Sequence, residues 1–384
     1  MRINDSGNRN TNFSLTCIFL AIFCIPRNYD AFPGICQILR IIEMPGLAWS
    51  LILFFKNKYY KVRWYIPFYL LLVYMFICMR INDPIHTKDC NILIYRMFSV
   101  TVLSEYMFRL DRKRAVTSIG RIWAVMMFIE VYSLITGCFG YAKSTVSSNH
   151  NFFFGIRVEI NEYIIYTFSF VCYAMYAGKS LDKFLAYVTM LGGLYFVFNQ
   201  AVSTSVVGCF VFFMIILFGR VMRSKMMWRN IIITAAIISV TFAFIQNTSA
   251  FDWLLSDILG EDLTMNGRTL LWSQAIGQMR GIHLLFGYGY SPDFTLKLTG
   301  TFVANHPHNQ YLQMMYNYGI PGMILYLCMM FKMVKVITRI PNSNVRIIHI
   351  ATLTATIFMC ITSRNYLYLT AQIYYASVLH LKEF

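Results

Sequence analysis

Long apolar runs alternate with short polar breaks from one end of this chain to the other. The first six are centred on Phe13–Ile25, Ile35–Phe55, Trp64–Met79, Ile92–Phe108, Thr117–Phe139 and Tyr163–Ala177. Six more follow at Phe184–Phe198, Val202–Phe218, Ile231–Ile245, Tyr311–Phe331, Ile347–Ile361 and Tyr366–Leu381. A helix needs about 20 apolar residues to cross a bilayer, so the pattern predicts about twelve transmembrane helices. Several centres must borrow flanking Tyr, Trp and Asn to reach that length. Backbone groups in hydrocarbon have to bond within their own segment, which selects helices over strands. The expected fold is all-α, a single integral membrane domain over residues 1–384. The first run is short enough for a signal-peptide core, but Pro26-Arg27-Asn28-Tyr29-Asp30 offers no small-x-small cleavage site, so a retained span is expected.

Two polar intervals are long enough to have structure of their own, residues 140–162 and 248–309. In the second, Phe251–Leu259 reads as a short amphipathic piece. Leu271, Ala275, Met279 and Ile282 recur at helical spacing and predict a helix over Arg268–Leu285. Gly287-Tyr288-Gly289-Tyr290-Ser291-Pro292 then breaks it. A loop of this amphipathic kind is expected to lie along the membrane face.

Composition agrees with the pattern. Hydrophobic residues make up 58% of the chain and charged residues 13%, against about 25% charged in soluble domains. The net charge of +16 would suit nucleic acid, but the positions of the charges argue otherwise. Lys56, Lys58, Lys61 and Arg63 share one break, and Arg109, Arg112, Lys113 and Arg114 another. Lys179 with Lys183, Arg220 to Arg229, and Lys332 to Arg346 complete the series. Every second break is basic, which is the positive-inside pattern. It places those breaks and both termini in the cytoplasm, the two long intervals outside, and leaves no nucleic-acid partner. The ten cysteines lie mostly in apolar runs without CxxC spacing, as buried thiols do. Tyr59-Tyr60, Trp64-Tyr65 and Tyr374-Tyr375 at span ends read as interfacial belts.

Ionisable residues within spans suggest function by default. Arg40 with Glu43, Arg96 with Glu105, Arg121 with Glu130, and Arg364 at the outer end of the eleventh run are the candidates. Arg40 and Glu43, three residues apart, are explicable as simple pairing, and Arg121, near a cytoplasmic end, can snorkel. The large outer loop is richer, with Arg268, Arg280, Asn305, His306, His308 and Asn309. Guanidinium groups make forked, charge-assisted bonds to phosphate oxygens, and a neutral imidazole accepts a proton near neutral pH. Together they suit transfer from a phosphate-bearing donor to a hydroxyl. The plain alternative is that loop histidines only bond backbone. His306-Pro307-His308 is not a metal signature, since no third ligand has a motif-like position.

The run Asn266-Gly267-Arg268-Thr269-Leu270-Leu271-Trp272 precedes Gly287-Tyr288-Gly289, then His306-Pro307-His308-Asn309-Gln310-Tyr311-Leu312, then Gly319 and Gly322. This ordered set resembles the O-antigen ligase and polymerase superfamily, which includes polysaccharide polymerases of the Wzy type. The resemblance implies a GT-C-type membrane glycosyltransferase working at the outer face of the bacterial cytoplasmic membrane. Its donor would be an oligosaccharide on undecaprenyl diphosphate, with no cofactor and no metal. Carried over by position, His308 (or His306) would activate the acceptor hydroxyl. Arg268 would hold the diphosphate, helped by Arg280, Arg364 and Arg157, with Asn305, Asn309 and Trp272 in support.

One departure bears on the reaction. Ligases place an arginine after a Thr/Ser-x-Ser unit at the outer edge of a middle span. The corresponding stretch here is Ser203-Thr204-Ser205-Val206-Val207, with valine in that place. This favours repeat-unit polymerisation, with Arg364, Arg157 or Arg80 supplying the charge, over ligation of finished glycan to a lipid A-core acceptor. A chain-length regulator and a repeat-unit flippase would then be partners beside the membrane lipids. The alternative of another class is a transporter or flippase of lipid-linked sugars, but flippases favour short loops and paired halves, unlike this single asymmetric loop.

Overall fold

A computed structural model describes residues 4–25, 33–82, 87–137, 151–152, 155–200, 203–219, 224–242, 244, 268–289, 296–297, 303–304, 307–341, 343–361 and 369–381. Among the described residues the fold is helical apart from two two-residue antiparallel ladders, Asn151–Phe152 with Gly155–Ile156 and Leu296–Lys297 with Val303–Ala304. The first helices are α1 (Asn4–Cys24), α2 (Pro33–Lys56), α3 (Ile66–Asn82), α4 (Thr87–Leu110) and α5 (Arg112–Thr136). Then come α6 (Arg157–Ala177), α7 (Ser180–Gln200), α8 (Ser203–Phe218) and α9 (Lys225–Phe242). Two helices from the large loop, α10 (Arg268–Gln278) and α11 (His283–Phe286), precede α12 (Gln310–Ile337), α13 (Ser343–Met359) and α14 (Leu369–His380).

Each predicted apolar centre overlaps one of these helices in its described residues. Among the described residues, five stretches are long and apolar enough to cross a membrane: Cys36–Lys56, Arg63–Asn82, Arg112–Thr136, Ser180–Gln200 and Gln310–Ile337. Tyr163–Ala177, Ser203–Phe218, Met227–Phe242 and Asn344–Met359 are apolar but shorter. The chain is a membrane protein. Exposed apolar residues are what a lipid-facing surface requires, and α3 shows them as a stripe of Val73, Ile77 and Ile81 at four-residue spacing.

Buried charges fix how the helices meet. Arg96 does not reach Glu105, nor Arg121 Glu130, because nine residues of helix separate each pair by about 13 Å. Instead Arg96 on α4 pairs with the buried Glu43 of α2 (Nε–Oε1 3.2 Å) and donates to the Phe23 carbonyl at the end of α1. Glu105 accepts from Tyr65 and Arg109 and bonds His380 of α14. Arg121 makes a forked pair with Asp182 of α7, at 2.7 and 3.1 Å. Removing one partner from a buried pair is far costlier than never having had the pair, so these contacts hold helix register.

The aromatic pairs read as interfacial belts are largely something else. Tyr59, Trp64, Tyr65, Tyr374 and Tyr375 are buried, and only Tyr60 is exposed. Trp64 and Tyr375 stack at 4.8 Å, and each donates its side-chain hydrogen to the other's backbone carbonyl. They tie α14 to the turn before α3, which sequence alone did not disclose.

Candidate functional site

The site grows from a break in α12. Tyr318 and Gly319 leave helical geometry, Gly319 at φ 66° and ψ −174°, so the turn around them cannot close its own ladder. Pro321 compounds this, since it has no N–H to give the Asn317 carbonyl four residues earlier. Uncovered carbonyls inside a membrane protein are tolerated only where other protein groups satisfy them. Here the large loop does so. Tyr288 N–H donates to the Tyr316 carbonyl at 2.8 Å, and Gly289 N–H to that of Asn317 at 2.9 Å.

The glycines of both motifs make this approach possible. A Cβ on Gly287 would lie 2.3 Å from the Asn317 carbonyl carbon, and one on Gly319 would lie 1.9 Å from the Leu285 carbonyl oxygen. Around this knob, Tyr288 stacks between His283 (3.9 Å) and Tyr316 (4.7 Å). The Tyr288 and Tyr316 hydroxyls both donate to Gln278, at its carbonyl and its side-chain oxygen respectively. Burial raises the Tyr288 phenol above its ordinary pKa, so it remains a donor at neutral pH.

Arg268 opens α10, half-buried in its first turn. One turn on, Leu271, Trp272, Ala275 and Met279 pack against Phe242 of α9 and Leu312, Met315 and Tyr316 of α12. The fully buried Trp272 indole donates to the Pro307 carbonyl at 2.7 Å. His308 follows directly, at φ 52°, a left-handed conformation in which His is enriched. Asn309 caps α12 by accepting from Leu312 N–H at 2.9 Å, while its Nδ2 donates to the Ile361 carbonyl beyond α13. Gln310 N–H donates to the Cys360 carbonyl. The turn bearing His308 is thus held from α10 on one side and α13 on the other.

The predicted helix over 268–285 is two pieces. Gly281, at φ 56°, turns the chain between α10 and α11, which leaves Ile282 exposed instead of in the core. Arg280 lies exposed at this break. Arg157 opens α6, so the last residues of the 140–162 interval are helical. Asn305, His306, Arg364 and the Phe251–Leu259 piece lie outside the described residues. Arg80 is exposed at the end of α3, its guanidinium 5.1 Å from the Phe76 ring. The structure therefore joins the Arg268 helix to the His308 turn, and it leaves Arg280 separated from them by the length of α10. Among the described residues, no three His, Cys, Asp or Glu side chains gather as metal ligands.

Sequence reading passed over the carboxamides of α12. Gln310, Gln313 and Asn317 are all buried, and Gln313 Nε2 donates to Asn317 Oδ1 at 2.6 Å. Their spacing of three and four residues along one helix face was the available signal. Trp272→Phe tests the α10 tie, because it keeps the ring packing and removes the donor. It leaves the buried Pro307 carbonyl unpaired, for a loss of about 1–3 kcal/mol, read as a lowered melting temperature in detergent. An unchanged melting temperature would show that the bond is dispensable.

Comparison with known proteins bears on the same region. Residues 185–327 match the O-antigen ligase family. A Rickettsia felis protein named "Putative polysaccharide ligase" is 34% identical over 73 residues, 16% of this chain and 18% of that protein. A Rickettsia typhi protein of the same description is 25% identical over 180 residues, covering 44% of this chain and 43% of the relative. The chain thus spans less than half the length of the curated relatives it matches. The stretch running from α7 into α12, with Arg268, both glycine motifs and His308 inside it, carries the sequence pattern of the O-antigen ligase family.

Proposed function

We propose that the chain is a membrane glycosyltransferase of the GT-C type that polymerises oligosaccharide repeat units carried on undecaprenyl diphosphate. The site would face the outside of the cytoplasmic membrane, with both termini inside. The observation that carries the reading is the Trp272–Pro307 bond, which ties the helix bearing Arg268 to the turn bearing His308.

The chemistry is an exchange at one sugar carbon. The acceptor hydroxyl gives its proton to the His308 imidazole as its oxygen bonds the anomeric carbon. The bond from that carbon to the diphosphate breaks, and the lipid diphosphate leaves with the electron pair. Arg268, with Arg364 and Arg157 as further cations, would stabilise the charge developing on the leaving group, the contribution that usually dominates such catalysis. Arg280, beyond the far end of α10, would meet the diphosphate before the bond breaks. Asn305, His306 and Asn309 would orient the sugars or the turn. The proton taken by the imidazole passes to the departing diphosphate or to water. No nucleotide sugar is needed, because the lipid diphosphate is already activated.

A second reading is ligation of finished glycan to a lipid A-core or similar acceptor. It is favoured by the names of the two Rickettsia relatives. Polymerisation is favoured by Val206 and Val207 after Ser205, where ligases carry arginine. Deleting the gene separates the two, since loss of a polymerase leaves single-repeat glycan and loss of a ligase accumulates long lipid-linked chains. Purified protein given lipid-linked repeats without nucleotide or added metal should produce a ladder. Absence of a ladder would end the polymerase reading, and absence of transfer when a lipid A-core acceptor is added would end the ligase reading as well.

A further inference from the structure

The four-residue helix α11, with Ile282 just before it, carries an apolar side left exposed among the described residues. Ile282 and Leu285 are 58% and 54% exposed, and Leu284 is exposed beside them. The rest of α11 is wedged in place. Tyr74 of α3 donates to the Leu285 carbonyl, Asn82 Nδ2 donates to that of Phe286 at 3.1 Å, and the Phe286 ring stacks on Tyr74. On the other side Gly319 of α12 sits against the backbone at Leu285. Three large apolar side chains are therefore presented outward by backbone fixed on both flanks, a costly arrangement in water.

Position says what faces them. Tyr74 is the neighbour of Val73, and Val73, Ile77 and Ile81 form the exposed apolar stripe of α3, one of the helices apolar enough to cross a membrane. Ile320 and Ile324 of α12 are exposed as well. The row on α11 thus prolongs a lipid-facing surface up to the knob at Gly287-Tyr288-Gly289. Two residues before the row stands the exposed Arg280. A narrow apolar row that ends at a guanidinium suits one long hydrocarbon tail with a strongly anionic head.

We propose that this ledge is the docking surface on which a polyprenyl diphosphate enters from the bilayer. Its chain lies along Val73, Ile77 and Ile81 and then Ile282, Leu284 and Leu285, with its diphosphate at Arg280. The proposal rests on reading the protein as a lipid-diphosphate glycosyltransferase and adds the route by which the donor arrives. It gives Arg280 a place on the approach and not at the reacting bond, in keeping with its separation from Arg268 by the whole of α10.

The test places a photoreactive benzoylphenylalanine at position 284 or 285 of the full chain, in phosphatidylcholine nanodiscs. Undecaprenyl diphosphate or phosphatidylglycerol is added at equal low mole fraction, and adducts are weighed after illumination. One charge-assisted contact of about 1.5 kcal/mol corresponds to roughly ten-fold enrichment. The polyprenyl adduct should exceed its mole fraction by that factor, and Arg280→Gln should remove the excess. Adducts in simple proportion to lipid composition would overturn the proposal by reducing the ledge to general membrane contact. Equal enrichment of phosphatidylglycerol would overturn it by making the site one for any anionic lipid. No lipid adduct, while the same probe at position 73 gives one, would place the ledge outside the bilayer and also overturn it. Glycan transfer, measured in matched nanodiscs whose undecaprenyl diphosphate carries an oligosaccharide repeat, keeps the two claims apart. Transfer without enrichment refutes the ledge alone, and enrichment without transfer refutes the enzymatic reading alone.

Discussion

Gly319→Ala is expected to deprive the protein of its folded loop end. The backbone there, at φ 66° and ψ −174°, occupies a region essentially reserved for glycine, at a cost of about 1–3 kcal/mol for any other residue. The added Cβ would also lie 1.9 Å from the Leu285 carbonyl oxygen, a backbone atom that cannot swing aside as a side-chain tip can. Moving α11 away to relieve the clash strips the Tyr288 and Gly289 donors from the Tyr316 and Asn317 carbonyls. Pro321 offers Asn317 no substitute. Unsatisfied backbone groups in an apolar interior cost several kcal/mol each, so the total loss should exceed about 4–5 kcal/mol, the range of exceptional mutations. Gly277→Ala is the control, in the last turn of α10 with nothing within 4 Å of the new Cβ. It should be neutral or stabilising by about 0.5–1 kcal/mol. Melting in detergent and protease resistance of the 268–289 segment would read both variants. Equal behaviour of the two would refute the account of the break.

That break shows how far the sequence could be read. The Gly-x-Gly and Gly-x-x-Gly motifs were visible as spacing, and Pro321 beside Gly319 marked a weak point in a helix. Which carbonyls became free, and that residues 288 and 289 cover them, depends on two segments nearly thirty positions apart meeting in space. The helices themselves were legible because lipid exposes apolar side chains all along a span. Charge partners were not. A pattern along one helix suggests the residue on the same strip of chain, whereas Arg121 found Asp182 on another helix and Glu105 found His380 near the far terminus. The predicted helix over 268–285 failed at one residue, Gly281, because periodicity in apolar positions persists through a turn that keeps the same side facing the core until Ile282. Trp272 was singled out by resemblance alone, and its indole bond to Pro307 supplies the physical reason for a tryptophan there.

Arg268 and His308 should then be inseparable from activity and dispensable for folding. His308 sits in a turn anchored by the Trp272 bond to Pro307 and by the two Asn309 bonds, so the backbone that presents its imidazole has anchors on both sides of the ring. His308→Ala would confuse lost chemistry with backbone strain, because alanine is disfavoured at φ 52°. His308→Asn avoids this, since asparagine tolerates the left-handed region and has no basic nitrogen. Transfer should fall by about 10²- to 10⁴-fold, the usual contribution of a general base, with the melting temperature held. Arg268→Ala should lower transfer by about 10²- to 10³-fold, as loss of a single charge-stabilising donor does. Arg268→Lys should recover only part of this, because an ammonium keeps the charge but not the forked geometry that matches phosphate oxygens. Single-turnover transfer from a lipid-linked donor is the measurement, since it reports bond exchange apart from product release. A His308→Asn protein transferring at the wild-type rate would remove the imidazole from the mechanism. Full activity in Arg268→Lys would mean that position 268 supplies charge alone, and the forked contact to diphosphate would have to come from another arginine.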